Sequence, residues 1–409
     1  MATNLSILIR NRNAFLTLIV VIAALKLLLS AIAPASFELR DTITLVSSGR
    51  APIGPWLALY PPLYNQTASN FSQLGVWWLA PPPSMDFNSR TISILFRLPV
   101  FAFDLATAVV LYYVGKRMAS ANEGRLASLI WFVNPFTLFS IELLGVPDIV
   151  ATFLVLVAFS LFISRRFALG GVVLALGTWM KFFPVLLLPP LLLYAHAHGV
   201  SWKHKAALLG LGLIGLAGYL SWILPVSSAT YLTTYSPVTQ PFPFVAGQSA
   251  VNGSAYFLVL FYCLLLLFAT RTKNLIALLL PTLLAYYAIS NPSFQYLIWA
   301  MPLMALDVAL VNRSRALLYA ILSALAFTAW FFVSPAFLTP SGYSLLMIPL
   351  GGGNLPWYSR AVTTFLDNRS VYLLLVPLIS SSLYASILAY GVDVARSWFT
   401  GASAESQQQ

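Results

Sequence analysis

Arg97-Leu98-Pro99-Val100-Phe101-Ala102-Phe103-Asp104, continued by Leu105-Ala106-Thr107-Ala108-Val109-Val110-Leu111-Tyr112-Tyr113-Val114-Gly115-Lys116, is the stretch whose reading decides the fold class. Between its flanking cations it is apolar at nearly every position, on a helix long enough to cross the hydrocarbon core of a bilayer. One acid, Asp104, interrupts it near the middle. A charge at that depth costs at least ~2.5–3.5 kcal/mol, so Asp104 needs a compensating role. It is either part of a ligand or partner site, or half of a structural pair with Arg97 on its own helix or Lys26 on the first.

The rest of the chain repeats the pattern. Of 409 residues, 59% are hydrophobic and 8% charged, against roughly 25% charged in an ordinary soluble domain. So few charges cannot clothe a water-soluble surface, which excludes a soluble enzyme. Apolar segments predict helices at about 14–35, 91–114, 126–141, 148–164, 167–181, 182–198, 206–226, 251–270, 274–291, 294–310, 316–334 and 371–392. The sequence therefore reads as an all-α integral membrane protein, one polytopic domain over 1–409 with about 12 transmembrane helices (10–13). The pair over 167–198 is broken by Gly170, Gly171, Pro184, Pro189 and Pro190.

The net charge of +11 follows topology. With Arg10 and Arg12 inside, alternate short connections carry Lys116/Arg117/Arg125, Arg165/Arg166, Lys203/Lys205, Arg271/Lys273, Arg313/Arg315 and Arg396: fourteen of the 22 basic residues on one face. By the positive-inside rule that face, both termini and the 393–409 tail are cytoplasmic, and the basic excess marks sidedness, not nucleic acid. The membrane is the plasma membrane in a prokaryote and the endoplasmic reticulum in a eukaryote. The first helix resembles a signal peptide, with Ala31-Ile32-Ala33 behind it, but its length and Lys26 favour an uncleaved anchor.

The outer face holds longer loops at 36–90, 227–250 and 335–370, the first rich in Pro and aromatics and suited to amphipathic, interfacial helices. Six of the eleven acids fall there or at the outer edge: Glu38, Asp41, Asp86, Glu142, Asp148 and Asp367. Glu38 and Asp41, three apart, would share a face of a helical turn, where they could coordinate a divalent cation (Mg or Mn) or accept a hydroxyl proton; a solvated loop start is the alternative. Asp148 is placed at a helix N-terminus, where a capping aspartate also belongs. Lys181, at an outer boundary poor in lysine, suits an anionic headgroup such as a lipid phosphate, or simply snorkels.

Other signals carry less. Cys263 is the lone cysteine and forms no internal disulfide. His196, His198 and His204 beside Lys203 and Lys205 read as a solvated loop rather than a metal site. Gly210, Gly212 and Gly215 match a dinucleotide-binding spacing without its strand, and read as close helix packing. Asn65, Asn70 and Asn252 open glycosylation sequons on the outer side.

The order Ser48-Gly49-Arg50-Ala51-Pro52, Phe103-Asp104-Leu105-Ala106-Thr107-Ala108, Trp131-Phe132-Val133-Asn134-Pro135, Pro147-Asp148-Ile149-Val150-Ala151, Trp179-Met180-Lys181-Phe182-Phe183-Pro184 and Asn291-Pro292-Ser293-Phe294-Gln295-Tyr296-Leu297-Ile298-Trp299 resembles the GT-C glycosyltransferases. Within them it is most similar to the catalytic subunits of GPI mannosyltransferase I and their prokaryotic relatives. The resemblance implies a GT-C-like fold and transfer of a hexose, commonly mannose, from a polyprenyl-phosphate-linked donor to a lipid-linked or glycan acceptor at the outer or lumenal face, with a small membrane partner subunit. It makes Asp41, or Glu38, the general base and metal site, although Ala33-Pro34-Ala35 replaces the family's Asp-x-Asp. It casts Lys181, Arg50 and Arg90 as the phosphate-holding cations, and Asp104, Asp148, Gln295 and Tyr296 as pocket residues. The alternatives are a transporter or lipid-carrier flippase, with Asp104 in a proton relay, and a catalytically degenerate GT-C homologue that scaffolds a partner.

Overall fold

The computed structural model describes residues 9–32, 90–143, 145–146, 148–226, 260–263, 274–290, 294–333 and 369–400, and among them every regular element is helical. The helices are α1 (Arg12–Ile32), α2 (Arg90–Met118), α3 (Ala121–Phe132), α4 (Pro135–Leu138), α5 (Asp148–Ile163), α6 (Phe167–Met180), α7 (Leu188–Ala197), α8 (Trp202–Val226), α9 (Leu275–Ser290), α10 (Met301–Leu310), α11 (Ala316–Val333) and α12 (Arg369–Thr400).

Helix α1 shows what solvent this fold expects. Its inward face carries Lys26, Ser30 and Phe15, while Val20, Val21, Leu25 and Leu28 are exposed. Polar inside and apolar outside is the reverse of a soluble helix and suits lipid. This is a membrane protein with helical spans.

Among the described residues two helical segments, Arg12–Ala31 and Arg97–Met118, are long and apolar enough to cross a bilayer, and a third joins them if α3 and the segment Pro135–Leu143 count as one bent span. The expectation of about twelve full spans is thereby corrected for the described residues, and the reason is proline. Residues 126–141, expected as one helix, bend by 49° at Asn134-Pro135. Pro135 has no N–H to offer the Trp131 carbonyl, which accepts from the Asn134 amide and, at 3.0 Å, from the Thr137 hydroxyl. Asn134 caps the new turn, its Oδ1 accepting from the Phe136 and Thr137 amides at 2.8 and 3.3 Å. A π-helical turn, Phe139–Leu143, follows α4. Pro184 likewise leaves a 3₁₀ turn, Phe183–Leu187, before α7, and Pro302 separates the 3₁₀ turn Phe294–Trp299 from α10. Several apolar helices are consequently 10–17 residues long.

Two close approaches fix neighbouring helices. A Cβ on Gly115 of α2 would lie 2.6 Å from the Cα of Gly124 on α3, so only glycines let these backbones meet. A Cβ on Gly215 of α8 would lie 2.5 Å from the Ala175 carbonyl oxygen of α6 and one on Gly212 2.8 Å from Leu188, which bears out the packing reading at these two glycines, while Gly210 has nothing within 4 Å.

Charged contacts gather the basic connections at one end. Arg125 donates to the Ile9 and Arg10 carbonyls at 2.7 and 2.9 Å. Arg313 reaches Glu123 at 2.8 Å, and Arg315 grips Asp307 at 2.7 Å and Asp393 at 2.6 Å. The segments so joined are among those that the sequence placed on a single face.

Candidate functional site

Two buried ionic centres lie beside the helix breaks. The first forms where α1, α2 and the π-helical turn meet. Lys26 Nζ is 2.5 Å from Asp104 Oδ2 and 3.3 Å from Glu142 Oε1, and all three side chains are fully buried. The Trp131 indole N–H donates to Asp104 Oδ1 at 2.8 Å, and the Lys26 ammonium stands 4.4 Å from the centroid of Phe132. Lys26 and Glu142 have ion-pair proximity without the alignment of a hydrogen bond. Buried Arg97 donates to the Ser30 carbonyl at 3.3 Å and the Leu143 carbonyl at 2.7 Å, tying the end of α1 to the π turn. Two cations and two acids balance formally, which is how a low-dielectric interior tolerates them. Of the readings open for Asp104, the geometry supplies the structural pair with Lys26.

The second centre stands where α5 begins, α6 ends and the 3₁₀ turn Phe294–Trp299 closes. Lys181 leaves α6 in an extended conformation (φ −151°, ψ 139°), freeing its side chain from the helix surface. Its ammonium is 3.0 Å from Asp148 Oδ1, and the Trp299 indole N–H donates to the same oxygen at 3.1 Å. The Asp148 carboxylate, first residue of α5, thus serves a tertiary contact. The ammonium also lies 4.6 Å from the Tyr296 ring centroid and 6.0 Å from that of Trp299, at cation–π range. Rings wall the site: Phe183 and Tyr296 stack on Trp299 with centroids 4.2 and 4.7 Å away, and Phe182 meets Trp299 edge-on at 6.1 Å. The Lys181 side chain keeps 16% of its surface accessible, against none for Lys26. A partly open cation on an aromatic floor can bind an anion, and flat rings can stack on a sugar or a hydrocarbon edge.

Asp148, Lys181 and Tyr296, all singled out in the sequence, are therefore brought together, while Asp104 belongs to the other centre. Glu38, Asp41 and Arg50 lie outside the described residues, as do the three long loops. Arg90 opens α2, and Gln295 falls in the 3₁₀ turn, but their side chains lie outside the description too. Among the described residues no three His, Cys, Asp or Glu side chains are arranged to hold a metal ion. Trp299 and Glu142 were not picked as site residues. The one signal for Trp299 was its place at the end of the Asn291–Trp299 stretch, and for Glu142 its scarcity as an acid in an apolar run. His204 is bonded to Ser201 at 2.8 Å and His196 lies 3.3 Å from Lys205 Nζ.

A further centre fastens the bend. The Asn134 amide donates to the Tyr319 hydroxyl at 2.7 Å and to Ser323 at 2.8 Å, holding the α3–α4 corner against α11.

Comparison with known proteins changes the functional reading. The family model described as GPI transamidase subunit PIG-U matches residues 28–244, just over half of the chain and most of both ionic centres. No curated protein matches the chain. The match overturns the resemblance to GT-C glycosyltransferases and to GPI mannosyltransferase I: the chain is not assigned a hexosyltransferase activity, and the transfer mechanism with Asp41 or Glu38 as base lapses with it. The matched span holds Asp104, Glu142, Asp148 and Lys181, acids and a lysine that lock its helices together, and on that span the chain belongs to the PIG-U family of GPI transamidase subunits.

Proposed function

We propose that this chain acts as a membrane-embedded positioning subunit of a GPI transamidase in the endoplasmic reticulum membrane, contributing to attachment of GPI anchors to proteins. The observation that carries the reading is the PIG-U family match over residues 28–244. The local chemistry supports a positioning rather than a bond-breaking role. Transamidation of a peptide carbonyl calls for a nucleophile activated by a nearby base. The chain's one cysteine, Cys263, is exposed, and the three histidines are occupied with Tyr194, Ser201 and Lys205.

The Lys181 centre is the part suited to a ligand. A glycosylated phosphoinositide headgroup offers a phosphate for the Lys181 ammonium and hydroxyls for Asp148, with the half-buried Tyr296 ring, backed by Trp299 and Phe183, beside a sugar. The helix break at Lys181 sets this centre at the end of the bundle opposite the basic connections, so the reading also favours cytoplasmic basic loops and a lumenal pocket, with the short apolar helices completing a multi-pass bundle.

The test is complementation. Full-length chain expressed in cells stripped of their own PIG-U family subunit should restore surface display of a GPI-anchored reporter and co-purify with the remaining transamidase subunits. A chain that is abundant in the membrane but neither rescues display nor co-purifies would overturn the proposal.

A further inference from the structure

An open groove of about 600 Å³ runs between α1 and α2 on the outside of the bundle, away from both ionic centres. Its walls change character along their length. At one end stand three cations, Arg12, Lys116 and Arg125; from there the lining turns to Leu16, Ile19 and Leu105. The two helices run antiparallel here, so the gradient is built twice. Arg12 to Ile19 descends about 10 Å and Lys116 to Leu105 about 16 Å along their axes. Tyr113, 60% exposed, stands at the boundary between the two characters, as interfacial tyrosines do.

The cations are available to a ligand. Arg12 and Lys116 are exposed and have no carboxylate partner among the described residues. Glu123, the nearest acid along the chain, turns to Arg313. Arg125 is held in place by two backbone carbonyls through Nη1 and stacks at 6.0 Å over the Phe15 ring, which leaves its other N–H donors free.

We infer that this groove is a binding site for an anionic glycerophospholipid, its phosphate and acidic headgroup held by Arg12, Lys116 and Arg125 and one acyl chain laid along Leu16, Ile19 and Leu105. A cationic mouth above an apolar channel is complementary to that molecule in both charge and length. A zwitterionic lipid brings its phosphate but sets a headgroup cation against the three basic side chains, and a free phosphate satisfies only the mouth. The inference depends on the membrane setting of α1 and α2 and is independent of the transamidase reading.

Native mass spectrometry of the full-length chain, released from detergent in the presence of equimolar phosphatidylserine and phosphatidylcholine, tests it. Phosphatidylserine should be retained about tenfold over phosphatidylcholine. In R12Q/K116Q, which alters two exposed side chains and should leave the melting temperature unchanged, the two lipids should be retained equally. Glycerophosphoserine, the same headgroup without acyl chains, should fail to displace the lipid at equal concentration. Equal retention by the unsubstituted chain, or unchanged selectivity in R12Q/K116Q, would overturn the site. Displacement by glycerophosphoserine would overturn its lipid character.

Discussion

Lys26 with Asp104 and Lys181 with Asp148 are the same pair of residue types in two settings. The first is sealed between transmembrane helices, clamped by Trp131 and accompanied by Glu142 and Arg97. The second sits where three elements end, is floored by aromatic rings and keeps its lysine partly accessible. The sealed pair is closed to ligands, and its effect is to hold α1, little of which is buried, against α2. The open pair leaves part of its lysine accessible. An ionic pair inside a membrane protein is thus read by what surrounds it, not by its members.

The largest effect is expected at the sealed centre. D104A leaves the fully buried Lys26 ammonium with only Glu142, at 3.3 Å and out of hydrogen-bond alignment, which should cost about 3 kcal/mol and appear as a large drop in the thermal transition of the detergent-solubilised protein. Because Lys26 also serves Glu142, the replacement of all three groups, K26M/D104L/E142Q, removes the desolvated charges together and should recover most of that loss, while K26M/D104L, which leaves Glu142 charged, should recover about half. A double variant no more stable than D104A would break the pairing account. At the open centre the order of effects reverses. K181Q keeps a donor for Asp148 and should lose only about 1 kcal/mol of stability, while anchor attachment in complemented cells should fall about tenfold, as loss of a charged contact to phosphate does. W299F retains the ring stack but removes the indole N–H to Asp148. It should lower stability by about 1 kcal/mol, read as a small shift in melting temperature. R313A, at a pair whose arginine is 70% exposed, should stay within about 0.5 kcal/mol of the parent in the same measurement.

Much of this was legible from residues alone. The helix limits of α1, α5, α8, α9 and α11 lie close to the apolar runs, because a run bounded by cations or glycine has few alternatives. Asp104 announced a partner by its depth, and Lys26 was one of two named for it. Asp148 and Lys181 stood out as rare charges at an apolar boundary. What the sequence could not supply was assembly. Nothing local joins Trp299 to Asp148, 151 positions away, and at the bend before Pro135 the Trp131 carbonyl accepts from both the Asn134 amide and the Thr137 hydroxyl. The resemblance to glycosyltransferases is overturned by the family match, and several of its motifs supply contacts between helices. Four of its six motifs, Phe103 to Ala108, Trp131 to Pro135, Pro147 to Ala151 and Trp179 to Pro184, supply such contacts: Asp104 holds Lys26, Asn134 holds Tyr319 and Ser323, and Asp148 holds Lys181.

The account's central claim is that the open lysine serves the proposed anchor-attachment function while the sealed one serves the fold. It is tested most directly by measuring surface display of a GPI-anchored reporter in cells that depend on this chain, normalised to its abundance in the membrane. The account predicts near-parental display with K26M/D104L/E142Q and about a tenfold loss with K181Q. Parental display with K181Q at equal abundance would contradict it.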